Sequence, residues 1–483
     1  MTRAQRRDGG LLCAAAILLL PVGGAQGHIC TDLRKLRQPG VTIIEARAFP
    51  AGPFSAPTLH GRPQPALARN ALCRVRAVAS PVPGSRIGME VWLPAAGRWD
   101  GRFRMYGNGG YSSDMPFVRL VSGLNAGSVV AATDTGHTGD DPDFVVGHPE
   151  ALTDWSHRAV HETAVAAKAL ARSFYGKKPR FSYFEGCSTG GQQALSEAQR
   201  YPLDFNGISA GAPGNNRIRL NVAFLWQFVS NRNPADPGRP LIAPAQLRGV
   251  TREVLRQCGT AAEQARGYLD NPFACRFDAA AMLCGPDRRA DCLDAGQVTA
   301  LRAMTGGARN PRTGAQIYPP WLPGSESIGP TDAALPGWSL YWSDPAHPQQ
   351  PARAGFFRSW ALRDPAWDWR SFDFDADVMR IEASLGASVA ATSPDLSAFR
   401  DAGGRLVVWH GLMDPVVSPW DSLFYRQSVA DRMAAGMPER LDDFYRLFFA
   451  PGMGHCGEGP GINAVDTGDA LIDWVEQRRA PII

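Results

Sequence analysis

Three residues far apart in the chain are of the types that together carry out acyl transfer by nucleophilic attack. Ser188 lies in Gly186-Cys187-Ser188-Thr189-Gly190, Asp414 in Trp409-His410-Gly411-Leu412-Met413-Asp414-Pro415, and His455 in Gly452-Met453-Gly454-His455-Cys456-Gly457. A serine hydroxyl is a weak nucleophile at neutral pH. It needs an imidazole to take its proton and a carboxylate to hold that imidazole in the right tautomer. The order serine, acid, histidine is the one found where a glycine-framed serine sits on a tight strand-to-helix turn.

The G-x-S-x-G pattern recurs at Gly207-Ile208-Ser209-Ala210-Gly211, so context has to separate the two copies. Before Ser188 stands the apolar strand "RFSYF", and after it the helical stretch "GQQALSEAQRY". Ser209 lies within a strand-like run ending at Ala212-Pro213-Gly214, with no helix expected to follow, and reads as structural. Of the nine histidines only His455 follows Asp414. Asp421 and Asp431 compete with Asp414, but both fall in what reads as the next helix, whereas Asp414 ends the apolar strand 405–409. Cys187 directly precedes the serine and Cys456 directly follows the histidine. If Ser188 and His455 meet, their neighbours come within the roughly 4.4–6.8 Å between Cα atoms that a disulfide spans. Such a bond would fasten the histidine loop to the nucleophile turn.

These residues need a scaffold. Between Arg86 and Val130 the chain alternates the short apolar runs "IGMEVWLP", "GRFRMYGNGGY" and "GSVVAATDTG", read as strands with glycine turns. The "MYGNGGY" segment follows a strand and offers unobstructed amides. From Trp155 to Tyr175 apolar residues return every three or four positions, which predicts a helix stopped by Gly176 and Pro179. Strands alternating with helices predict an α/β fold with a mostly parallel sheet. The alternation stops near Asn215 and resumes at "GRLVVWHG", dividing the chain into a catalytic domain of residues 28–216 and 397–483 and an inserted lid of residues 217–396. The lid is rich in Pro, Gly and Trp, and its aromatics, Trp338 and Tyr341 among them, either line an apolar pocket or form the lid's own core.

Residues 1–27 read as a secretory signal peptide: Arg3, Arg6 and Arg7 precede the apolar run Leu11 to Val22, and small residues follow. That run is too short to cross a bilayer of about 30 Å, and no later stretch is longer, so no membrane span is expected. Removing the segment lowers the net charge from +4 to +2, which gives no basic footprint for nucleic acid. It also leaves eight of nine cysteines, an even number that points to disulfides in a secreted or periplasmic protein.

The Cys-Ser and His-Cys pairs, the acid in "WHGLMDPVVSP", the "GNGGY" loop and the insertion together resemble the tannase and feruloyl esterase family, which includes mono(hydroxyethyl) terephthalate hydrolase. The resemblance covers nearly all of residues 28–483 and implies an α/β-hydrolase fold with a large inserted lid. It implies a triad of Ser188, Asp414 and His455, with an oxyanion hole of the Thr189 amide and one from Gly109 or Gly110. It implies the disulfides Cys30–Cys73, Cys187–Cys456, Cys258–Cys275 and Cys284–Cys292. The implied substrates are small-molecule aromatic esters of feruloyl, galloyl or terephthalate monoester type, with Trp338 and His410 as candidate contacts. A general lipase or polyester hydrolase on this fold, or an inactive binding module, are the alternatives.

A structural calcium is implied in the family's lid, in the loop opened by the first lid cysteine. Here that loop is "CGTAAEQARGYLDNPFAC", and Gly259, Ala262 and Arg266 stand at the matching positions. Only Glu263 and Asp270 remain as acids, too few for an ion that takes six to eight oxygens. The expectation is therefore no calcium and no other cofactor, with Arg266 filling the space against a carboxylate or carbonyls. His157 and His161 stand four apart on a helix, but no third ligand is evident, and no metal is expected there either. His137, in "TDTGHTGDD", either helps line the pocket or is structural.

Overall fold

The computed structural model describes residues 29–57, 63–286, 291–329 and 335–482. The signal segment 1–27 lies outside the described residues.

Nine strands form one sheet. Their spatial order is Val41–Phe49, Leu72–Ala79, Ile87–Pro94, Val129–Thr133, Arg102–Tyr106, Phe181–Cys187, Gly207–Gly211, Arg405–Gly411 and Tyr445–Ala450. The first three junctions are antiparallel and the remaining five parallel. This is the α/β-hydrolase arrangement, with a helix after each central strand. Both faces are covered, so alternate residues of one strand enter different cores. Val129 and Ala131 pack with helix Ala159–Tyr175 and helix Thr189–Arg200, while Val130 and Ala132 meet Phe117 and Leu120 of helix Phe117–Asn125. Farther along the sheet, Leu406 and Val408 face the first core, and Val407 faces Leu471 and Trp474 of helix Thr467–Gln477.

Between Gly211 and Arg405 the chain leaves the sheet. It opens on helix Arg217–Ser230, a helix that follows Ser209 where none was expected. Ile218, Val222, Phe224, Leu225 and Phe228 of this helix join an aromatic cluster with Trp342, Phe356, Phe357 and Trp360. Most of the aromatics in this insertion are therefore core. Tyr341 is only partly buried.

Among the described residues there are four disulfides, Cys30–Cys73, Cys187–Cys456, Cys258–Cys275 and Cys284–Cys292, with Cα separations of 5.4, 5.9, 5.4 and 4.8 Å. Among the described residues no helix is long and apolar enough to cross a membrane.

Candidate active site

Every candidate group lies just beyond the C-terminal end of a parallel strand, the edge at which open α/β sheets bind ligands. Ser188 follows Phe181–Cys187, the glycine loop follows Arg102–Tyr106, Asp414 follows Arg405–Gly411, and His455 follows Tyr445–Ala450.

Ser188 is a non-glycine residue with φ +63°, held there by its surroundings. Its N–H donates to Gly211 O at 3.0 Å, and its own carbonyl accepts from Gln192 and Gly214. The turn requires glycine on both sides: a Cβ on Gly186 would lie 2.4 Å from Gly190 O. Helix Thr189–Arg200 starts at the next residue. The amides of Thr189, Gly109 and Gly110 make no hydrogen bond among the described residues. Their neighbours are engaged, since Asn108 N–H donates to Gln193 and Tyr111 N–H to Asp140. Thr189 Oγ1 donates to Gly110 O at 2.7 Å, tying the helix start to the glycine loop. Two free-amide segments therefore flank Ser188.

Asp414 is fully buried and saturated with donors. Oδ1 accepts from the amides of Val416 and Val417, and Oδ2 accepts from His455 Nδ1 at 2.7 Å and His410 Nε2 at 3.1 Å. Burial alone would raise its carboxyl, but the charge of His455 and the hydrogen bonds of His410 and His455 outweigh that and hold it below the usual carboxylate range. With Nδ1–H on Asp414, His455 Nε2 is left as the basic nitrogen. The acid and histidine loops can meet because Gly411 has no side chain; a Cβ there would lie 2.3 Å from Gly454 O. Among the described residues Ser188 makes no side-chain hydrogen bond, and what ties it to His455 is the adjacent Cys187–Cys456 bond.

The competing acids are placed differently. Burial pushes Asp421 up to about 7, against hydrogen bonds from Tyr318 and Asn216, and Asp431 is an exposed residue of the same helix, Pro419–Met433. Ser209 is buried in mid-strand, with Oγ 2.6 Å from Thr467 Oγ1.

Two expected substrate contacts need correction. His410 is wholly buried behind Asp414, with Nε2 also 3.0 Å from Val417 O and Nδ1 2.8 Å from Ser422 Oγ. Because Val417 O can only accept, Nε2 carries the proton and His410 holds the acid in place. Trp338 is packed beside Trp321, donates its indole N–H to Ser325 Oγ, and borders a separate cavity of about 500 Å³. The narrow cleft at Ser188, about 20 Å³, is lined instead by Tyr111, Arg217, Phe224, Tyr341 and Arg353. Tyr111 closes the "MYGNGGY" loop, but no motif in the sequence marks the other four. Arg217 and Phe224 come from one helix, and Tyr341 and Arg353 from later in the insertion.

Among the described residues no group of three or more His, Cys, Asp or Glu gathers as a metal site. His157 Nδ1 lies 2.8 Å from Tyr201 Oη, His161 Nδ1 lies 2.6 Å from Asp204 Oδ2, and His137 Nε2 lies 2.7 Å from Tyr111 O. In the Cys258–Cys275 loop the two acids make contacts within the protein. Glu263 closes a capping box with Thr260 and also accepts from Asp270 N–H, while Asp270 pairs with Arg266 at 2.8 Å. Both carboxylates are already engaged by the protein.

Residues 73–482 match the family model for tannase and feruloyl esterase. The chain is 34% identical to an uncharacterized esterase of Xanthomonas campestris pv. campestris, over 97% of this chain and 85% of that one. It is 30% identical to feruloyl esterase B of Aspergillus niger, over 85% of this chain and 78% of that one. The crystal structure of feruloyl esterase B from Aspergillus oryzae superposes with a TM-score of 0.82 at 27% identity, covering 94% of this chain and 90% of that one. With this sheet and these relatives, the protein is a carboxylic ester hydrolase and belongs to the tannase and feruloyl esterase family.

Proposed function

We propose that the protein is an exported serine esterase that releases aromatic carboxylic acids through an acyl-enzyme. Ser188 Oγ attacks the ester carbonyl carbon while His455 Nε2 takes its proton and Nδ1–H stays on Asp414. The resulting oxyanion is held by the amides of Thr189 and of Gly109 or Gly110. Collapse expels the alcohol, which takes the proton back from His455; water then attacks the acyl-enzyme by the same route and frees the acid.

The observation that carries this reading is the His455–Asp414 hydrogen bond, at strand ends where Cys187–Cys456 fastens the neighbour of His455 to the neighbour of Ser188. The aromatic acyl group is supported by the name feruloyl esterase B of the relatives and by the rings of Tyr111, Phe224 and Tyr341 in the cleft. Tyr341 and Arg353 also wall an adjoining cavity of about 860 Å³, which offers room for the alcohol half of the ester. Export is supported by the pattern of residues 1–27 and by the four disulfides.

The test is covalent labelling by a fluorophosphonate with mass mapping, followed by turnover of methyl ferulate against aliphatic acyl esters. Label on Ser188 and faster release of the aromatic acid are expected. An unlabelled protein, or a preference for aliphatic chains, would overturn the reading.

A further inference from the structure

Arg217 is the first residue of helix Arg217–Ser230, is 6% exposed, and lines the Ser188 cleft. A buried cation normally has a carboxylate partner, because an uncompensated charge in a low-dielectric interior is costly. Among the described residues Arg217 has none. Nη2 donates to Thr189 Oγ1 at 2.6 Å and Nε donates to Gln192 Oε1 at 2.9 Å. The guanidinium also faces the rings of Tyr111 and Trp155, 5.6 and 5.3 Å from their centroids.

These contacts converge on one place. Thr189 Oγ1 accepts from Arg217 and donates to Gly110 O, so its single proton is committed and its rotamer fixed. Gln192 is in turn held by the hydrogen bond that its Nε2 donates to Val389 O at 2.8 Å. The relay from Arg217 through Thr189 to Gly110 thus spans both amide segments beside Ser188, and a positive charge stands at one end of it. The proposed reaction develops negative charge there in its transition states, as the oxyanion of each tetrahedral intermediate. Fixed dipoles and charges aimed at such a site stabilise it without reorganisation.

We propose that Arg217 is a positioning residue for ester hydrolysis: through Thr189 Oγ1 it fixes the two halves of the oxyanion hole relative to one another, and its unpaired charge favours the oxyanion between them. This rests on the reading of Ser188 as nucleophile. It assigns to the start of the insertion a part in the chemistry rather than in binding.

The experiment compares wild type with Arg217→Lys, Arg217→Met, Thr189→Ser and Thr189→Val. Steady-state hydrolysis of a neutral ester, methyl ferulate, is measured together with the rate of fluorophosphonate labelling of Ser188. Removing a direct oxyanion donor costs about 10²–10³ in kcat, so an indirect positioner should cost about tenfold to a hundredfold. Arg217→Met should lower kcat by that factor with KM within about twofold, and should slow labelling in parallel. Arg217→Lys keeps the charge and should fall between, while Thr189→Ser keeps the relay hydroxyl and should lose clearly less in kcat than Thr189→Val. The Arg217→Met and Thr189→Val losses should combine to less than their product, because they break one relay. If the Arg217 variants do not fold, Thr189→Val against Thr189→Ser still decides. Equal rates for those two, losses that multiply, or a KM rise confined to esters bearing a free carboxylate with kcat intact would each overturn the proposal. Labelling makes the outcome independent of the ester: slow methyl ferulate turnover with brisk labelling corrects the substrate, whereas labelling indifferent to Arg217 sinks this inference alone.

Discussion

Two copies of one pentapeptide lie on adjacent parallel strands, and only one has the surroundings of a nucleophile. Glu185 pairs with Ser209 and Cys187 with Gly211, so the two patterns are neighbours offset along the sheet. Ser209 falls inside its strand, where its side chain is buried against Thr467. Ser188 falls one residue past its strand, in a left-handed conformation at a helix start, beside free amides. A helix follows both, immediately after Ser188 but only at Arg217 after Ser209. The presence of strand, serine and helix therefore does not make an elbow. What does is the register of the serine against the strand end.

The largest expected contrast is Ser188→Ala, which should cut ester hydrolysis by about 10⁴-fold or more with circular dichroism unchanged; near-normal turnover would reverse the roles of the two serines. Next comes Asp414→Asn, which supplies the wrong hydrogen-bond pattern to His455 Nδ1 and should lower kcat by about 10⁴. It should leave Ser188 little more reactive than Ser209, as read by fluorophosphonate labelling. Replacing Cys187 and Cys456 together by serine tests whether the covalent tie, absent at Ser209, matters. Activity should fall about tenfold or more by loss of positioning, and denaturant unfolding should show about 2–5 kcal/mol less stability. Ser209→Ala loses one buried hydrogen bond, so about 1 kcal/mol of stability should go while activity stays within about twofold. The smallest effect expected is none: EDTA should change neither the melting temperature nor activity, and metal analysis should find no calcium at the Cys258–Cys275 loop. A chelator-sensitive melt with one calcium per chain would refute that.

How much of this was legible varied with the length scale of the cause. Helix Ala159–Tyr175 announces itself because one stripe faces the sheet and the other faces water, so its apolar residues are periodic. Helix Arg217–Ser230 is buried around most of its circumference, so its sequence carries no such stripe and shows no continuation of the strand-helix alternation. Tyr341 sits among aromatics that are mostly core, and composition cannot tell the one facing Ser188 from its buried neighbours. His410 looked available because it stands at a strand end near the acid. Its inward position depends on Ser422 and Val417, to which no local pattern points.

By itself the sequence determined the glycine-framed turn at Ser188, the order of serine, acid and histidine, the alternation that builds the sheet, and the cysteines placed beside the first and last of the three. Each is a local matter of residue type, spacing or backbone sterics. Tertiary structure alone decided which side chains wall the cleft, which histidine orients the acid, and that Arg217 reaches Thr189 without a carboxylate partner. These depend on packing between segments distant in sequence, where a side chain's surroundings are set by shape and burial and no longer by its neighbours along the chain.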